Sequence, residues 1–237
     1  INPLLFPTTL SPQTIDTYAA NTGLLSESPD RHWVVLAEQS AAKTTFNLYD
    51  TTKLDTNKTL LTLPVGLLSS PDQQAGTIKE VEWSSDNKNL LIQHDYTGGS
   101  EYIVINREEP IKSFNVNKIF SLAPAKVTLH DKKVDQLYIL ATVNGTLELD
   151  TVKDHLRRPL IQKVSDFKSY GSSLLSYATI STENPSLTAI NIWDDGTVYN
   201  LSNINPGDTY LLDIARFQGD WFYTVGDEKQ LWVEIYK

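Results

Sequence analysis

Apolar residues along the chain gather in short clusters rich in β-branched and aromatic side chains. Trp33 to Ala37 reads WVVLA, Leu90 to Gln93 LLIQ, Tyr102 to Asn106 YIVIN, Leu137 to Ala141 LYILA, Leu187 to Trp193 LTAINIW and Trp221 to Val225 WFYTV. Clusters of this kind are strand signals, and an uninterrupted apolar run marks a strand buried on both faces. The i, i+3, i+4 spacing of an amphipathic helix is nearly missing. Between the clusters stand Ser28-Pro29-Asp30, Ser85-Asp86-Asn87, Thr97-Gly98-Gly99, Asn144-Gly145, Asp195-Gly196 and Val225-Gly226-Asp227. These residue types reach the positive φ that tight hairpin turns require. The chain reads as all-β.

One unit recurs. Ser28-Pro29-Asp30-Arg31-His32-Trp33-Val34-Val35-Leu36 aligns with Ser84-Ser85-Asp86-Asn87-Lys88-Asn89-Leu90-Leu91-Ile92, a polar turn running into an apolar strand. Weaker echoes lead into Leu137, Leu174 and Trp221, so that equivalent strands begin at 33, 89, 137, 174 and 221. A repeat of about 40–50 residues is that of a propeller blade. Dividing each repeat into four strands gives a β-propeller of about five blades in a single domain, with approximate limits 21–65, 77–122, 125–164, 165–203 and 208–237. In the second blade the outer strand is expected at Ser113 to Ser121. The last blade is one strand short, and the apolar Leu4-Leu5-Phe6 leads to the expectation that residues 4–8 complete it beside Gln230 to Tyr236 and so close the ring. The other expectation is that the five blades are part of a larger propeller.

The segment Ser28-Pro29-Asp30-x-x-Trp33-Val34-Val35-Leu36 and the segment Trp83-Ser84-Ser85-Asp86-Asn87-Lys88-Asn89-Leu90-Leu91-Ile92 resemble the WD40-like repeat of the TolB and prolyl-oligopeptidase propellers, in which a Trp-Ser-Pro-Asp-Gly turn precedes an apolar strand. Arg31 and Asn87 stand where that repeat has its glycine. The long polar connections also resemble propellers attached to PEGA domains of bacterial surface proteins. This resemblance implies a propeller fold and an extracytoplasmic bacterial setting. It implies no particular activity, because one fold hosts many functions.

Composition narrows the chemistry. The 237 residues carry 20 Lys plus Arg against 29 Asp plus Glu, a formal net charge of −9. Such an excess of acid argues against nucleic acid and against anionic membrane surfaces as partners. No apolar stretch approaches the roughly 20 residues of a membrane-spanning helix. Cysteine is absent, which removes disulfides, thiolate catalysis and cysteine metal sites. Methionine is absent too, even at position 1, so the chain is expected to be a processed product or a part of something longer. His32, His94, His130 and His155 show no metal-binding spacing, and His32 and His94 are expected to be solvated or locally hydrogen-bonded. No Gly-x-Ser-x-Gly elbow, phosphate-binding loop or dinucleotide fingerprint occurs, so no cofactor is implied.

Carboxylates remain. Propeller glycosidases place a pair of them on inner strands around the channel, and the weak catalytic candidates here are Glu80 (or Glu82), Asp166 and Asp213. Strict alternation along a strand would put Glu80 and Glu82 on one face. The five tryptophans, Trp33, Trp83, Trp193, Trp221 and Trp232, recur at strand starts and centres, which suits packing between blades better than an exposed sugar platform. Residues 194–237 hold eight acids and three bases, an acidic end that is either a set of solvated turns or a face for a basic partner. The reading that follows is a non-enzymatic binding or scaffold module for a protein, peptide or glycan at the channel mouth. The alternative is a glycan-active hydrolase.

Overall fold

The structure, a computed structural model, describes residues 23–39, 44–53, 58–69, 76–130, 132–144, 146–153, 156–171, 173–205, 210–226 and 231–236. Among these residues five antiparallel sheets follow one another in sequence order. The first comprises β1 (Leu24–Glu27), β2 (Trp33–Gln39), β3 (Thr44–Asp50) and β4 (Thr59–Leu61). The second comprises β5 (Thr77–Trp83), β6 (Asn89–Tyr96), β7 (Gly99–Asn106) and β8 (Phe114–Asn115). The third has β9 (Pro124–His130), β10 (Lys133–Val143), β11 (Thr146–Lys153) and β12 (Leu156–Gln162). The fourth has β13 (Val164–Ser169), β14 (Leu174–Ile180), β15 (Thr188–Asp194) and β16 (Thr197–Ile204). The last has β17 (Tyr210–Phe217), β18 (Asp220–Gly226) and β19 (Leu231–Tyr236). Strands pair in simple sequence order within every sheet, which is the meander of a propeller blade.

The repeated turn is the same object twice. Ser28 Oγ donates to Asp30 Oδ1 and accepts from Trp33 N, while the backbone of His32 donates to Asp30 Oδ1. Ser84, Asp86, Asn89 and Lys88 make the matching set of bonds. Arg31 and Asn87 both take the left-handed conformation, at φ 61° and 57°. Asn pays little for this and Arg more, since only short polar side chains bond locally there. Asp195-Gly196 and Gln218-Gly219 close their hairpins with positive φ at both turn residues, the geometry that suits twisted strands.

Among the described residues four apolar cores lie between the five sheets. In β6, Leu90 and Ile92 pack toward the first sheet with Val35, Phe46 and Trp83, whereas Leu91 faces Val127, Leu137 and Ile139 of the third. In β10, Tyr138 and Leu140 turn the other way, onto Phe167, Leu175 and Tyr177 of the fourth sheet. Ile190 and Ile192 join Leu212, Trp221 and Tyr223 between the fourth and fifth. Middle strands are buried on both faces, which explains their unbroken apolar runs, and each fully buried large side chain contributes roughly 2 kcal/mol. Trp83 and Trp221 are buried in these cores, Trp33 and Trp193 lean on them half-buried, and Trp232 is exposed.

The outer strand of the second sheet differs from expectation. Only Phe114 and Asn115 extend, and the chain then winds into a helix, α1 (Val116–Phe120). Asn115 caps it by accepting from Lys118 N, which gives the backbone a local partner in place of a ladder. The expected completion of the last sheet by residues 4–8 lies outside the described residues.

Candidate functional site: the inner-strand carboxylates

The first strand of each sheet lines the side where neighbouring sheets converge, and in four of them the ladder is interrupted. Val81 in β5, Ala125 in β9, Ser165 in β13, and Leu212 with Asp213 in β17 are bulged out of register against the next strand. A bulge re-aims the side chains around it. The sequence-predicted carboxylates sit at these bulges, which decides where they point.

Glu80 pairs with Ile92 and Glu82 with Leu91, so the bulge at Val81 sends the two carboxylates to opposite faces, against the alternation expected from sequence. Glu80 Oε2 accepts from Ser26 Oγ of the first sheet at 2.5 Å, and that hydroxyl accepts from Trp83 Nε1 at 2.8 Å. Glu82 Oε1 accepts from Leu129 N of the third sheet. Burial pushes the Glu82 carboxyl up from its ordinary range, and the Leu129 N–H and Lys132 only partly oppose it.

Asp166 Oδ1 receives Lys126 Nζ at 2.8 Å, and the same ammonium donates to Phe167 O. Asp213 is bonded by Lys168. A lysine on one inner strand thus reaches an aspartate on the next, twice in succession. The hydrogen bond to Asp213 holds the Lys168 ammonium above its ordinary pKa. Tyr170 adds a further bridge to the fifth sheet, since its hydroxyl donates to Leu212 O and accepts from Ile214 N. The four carboxylates are therefore each committed to an adjacent sheet. Among the described residues no group of three or more His, Asp or Glu is disposed to hold a metal ion.

A second polar cluster was not foreseen. Glu101, fully buried, accepts from Ser69 N, from Asn115 Nδ2 and from His94 Nδ1 at 2.9 Å. Burial alone would raise its pKa, but the bonds from His94, Ser69 and Asn115 outweigh it and hold the carboxyl at about 2. Glu101 is then ionised and can only accept, so His94 Nδ1 carries the hydrogen. His94 is buried, not solvated, and its Nε2 has no hydrogen-bond partner. Serine, glutamate and histidine meet here in the wrong order for nucleophilic catalysis, because the carboxylate and not the imidazole stands between the other two. A sequence signal did exist: with Thr97-Gly98 as a two-residue turn, His94 falls opposite Glu101.

This cluster fastens the connection between the first two sheets. Ser69 bonds to Glu101, Leu67 O accepts from Asn115 Nδ2, and Lys118 Nζ donates to Gly66 O. On its other side the connection walls a pocket of about 290 Å³ against the ends of β3 and β4. Phe46, Leu61 and Leu67 give it buried apolar lining, and Thr45, Thr62 and the exposed Leu60 line it as well.

The sheet order, the four intervening cores and the bulged inner strands define a β-propeller. The β-propeller domain of the Trilobed protease from Pyrococcus furiosus, described as having an open velcro topology, is similar at a TM-score of 0.53 and 15% identity, over 92% of this chain and 69% of that one. Pyrococcus horikoshii acylaminoacyl peptidase is similar at a TM-score of 0.51 and 16% identity, over 91% of this chain, which spans only 37% of the peptidase. At such identities the likeness shows the fold. No family profile and no curated protein matches the chain. No described helix is long and apolar enough to cross a membrane.

Proposed function

We propose that this chain is a non-enzymatic propeller module, its blades at 21–65, 77–122, 125–164, 165–203 and 208–237 acting together, and that it binds a peptide or protein segment. The observation that carries this reading is the commitment of Glu80, Glu82, Asp166 and Asp213 to neighbouring sheets. A glycosidase needs two carboxyl groups facing one substrate across about 5–10 Å, one of them free to give a proton. Here each carboxylate is taken up by a serine, a backbone amide or a lysine. The pocket at the first connection favours a peptide over a glycan, because its apolar lining is mostly aliphatic and it offers no exposed aromatic face for a sugar ring. An extracytoplasmic setting belongs to the same proposal and rests on the WD40-like resemblance.

The test combines Glu80→Gln, Asp166→Asn and Asp213→Asn in one chain. Binding to a peptide array is expected in the wild type and in the triple variant alike, with no glycoside turnover by either. Turnover by the wild type that the triple variant loses while staying folded would overturn the reading.

A second reading, that the five blades are part of a larger propeller, is favoured by the last sheet. Val233 and Ile235 on its outward side are 64% and 53% exposed, whereas Leu36 and Tyr49 on the outward side of the first sheet are buried. An apolar sheet face left open in this way is normally covered by another layer. Sedimentation tests it: self-association that Val233→Lys abolishes supports an unfilled face, and a compact monomer at high concentration counts against it.

A further inference from the structure

Strand β11 carries Glu148 and Asp150 on one face, opposite Ala141 and Ile139 of β10, and both carboxyl groups are buried. Arg157 of β12 places Nε 2.9 Å from Asp150 Oδ2, and Gln162 Nε2 donates to Glu148 Oε2 at 3.2 Å. Neither Asp150 oxygen receives a directed hydrogen bond. Arg157 thus pairs with Asp150, while Glu148, two residues along the same buried face, is held by Gln162. Protonation of Asp150 supplies the missing donor, since it converts two acceptors into a donor and an acceptor.

We infer that Glu148, Asp150 and Arg157 form a proton-operated latch that fastens the outer strand β12 to the third blade. With the proton on Asp150, the buried face carries one anion beside one cation, the Arg157 guanidinium. Loss of that proton leaves two anions against one cation in a buried site, which costs several kcal/mol unless water enters. The element able to give way is β12. It lies at the sheet edge, Leu156, Arg158, Pro159 and Gln162 are exposed, and the ladder is already broken where Pro159, which lacks an N–H, stands opposite Asp150 beside a bulge.

Among the described residues the surroundings of the cluster are mostly apolar. On this side of the blade, β9 and β10 present Val127, Leu129, Ile139 and Ala141, and the second blade presents Leu91, Tyr102, Val104 and Val116. The titratable groups there are Tyr102, whose hydroxyl is bonded to Ala125 O, and Glu82, whose carboxylate is taken up by Leu129 N. Strand β13, packed against β11, carries Asp166 and Lys168, which pair with Lys126 and Asp213. Burial first, and then Glu148, push the Asp150 carboxyl up to about 7, which places the switch near neutrality.

Hydrogen exchange tests the latch. Protection of the β12 amides, corrected for intrinsic rate and referenced to β14, is compared at about pH 6 and about pH 8.5. In the wild type, β12 protection is expected to fall at least about tenfold at the higher pH, while Asp150→Asn, which cannot ionise, shows no such fall. Glu148→Gln removes the second anion by another route and is also expected to flatten the response. Equal β12 protection at both pH values in the wild type would overturn the latch, as would an undiminished loss in either variant.

Discussion

Glu80 and Glu82 stand two residues apart on β5 and bond in opposite directions, Glu80 to Ser26 of the first blade and Glu82 to the amide of Leu129 in the third. The bulge at Val81 makes this possible. The two positions should then differ in cost. Glu82→Ala strands the Leu129 N–H and is expected to destabilise by about 1–3 kcal/mol. Glu80→Ala, at an exposed position, should cost no more than about 1 kcal/mol. Urea unfolding of both variants measures the difference, and equal costs would show that the bulge does not divide their roles.

The buried Glu101 and His94 predict a large single-site effect. Glu101→Gln removes the charge that three donors converge on and leaves His94, Ser69 and Asn115 with a weaker acceptor. The expected loss is about 3–5 kcal/mol, the range found when one member of a buried pair is removed. Chemical denaturation reads it, and a loss below about 1 kcal/mol would mean that the connection at 62–69 is held by its apolar contacts alone.

Gly76 sits against the same histidine. A Cβ built on it would lie 2.4 Å from His94 Nε2 and 2.6 Å from Asp95 O, closer than atoms approach. Gly76→Ala is expected to cost about 1–3 kcal/mol through displacement of the backbone or of the His94 ring. The variant Gly98→Ala supplies a contrast, because nothing lies within 4 Å of its Cβ and only the φ of 101° opposes it. Thermal melts of the pair separate collision from backbone strain.

Arg31 predicts a gain. Its φ of 61° is one that glycine adopts freely and arginine does not. Arg31→Gly should stabilise by up to about 1 kcal/mol and Asn87→Gly by less, since Asn tolerates this region. A raised melting temperature for the first, with little change for the second, is the expected result. A drop for Arg31→Gly would mean that its side chain contributes more than its backbone costs.

Stability should peak in mildly acid solution. Glu101 titrates lower when folded, at about 2 against an ordinary 4.5, so its contribution is complete above 4.5 and is lost as pH falls toward 2. Asp150 behaves in reverse: held up at about 7 against an ordinary 3.8, it contributes fully below 3.8 and loses that contribution as pH rises through 7. Urea midpoints taken from pH 2 to pH 9 should decline on both sides of a maximum between about pH 4.5 and 6. Asp150→Asn should remove the alkaline decline and keep the acid one.

Much of this architecture is legible in the sequence because it depends on local terms. Apolar runs such as LLIQ at Leu90 and LYILA at Leu137 announce strands buried on two faces, and two-sided burial requires sheets stacked in series. The Ser-x-Asp turn closes on itself through neighbours a few residues away, so its geometry at Ser28 and Ser84 follows from residue type. The direction of the carboxylates was another matter. Alternation assigns a face only while the ladder is regular, and the bulges at Val81, Ser165 and Asp213 answer to the convergence of inner strands from different blades. The burial of His94 with Glu101, and the pairing of Arg157 with the buried Asp150, likewise depend on which strands lie side by side and on what covers them. Strand identity and turn chemistry are properties of short stretches of chain. The partner that a charged group finds, and the pKa that results, are properties of the packed blades, because desolvation and Coulomb terms depend on three-dimensional distance.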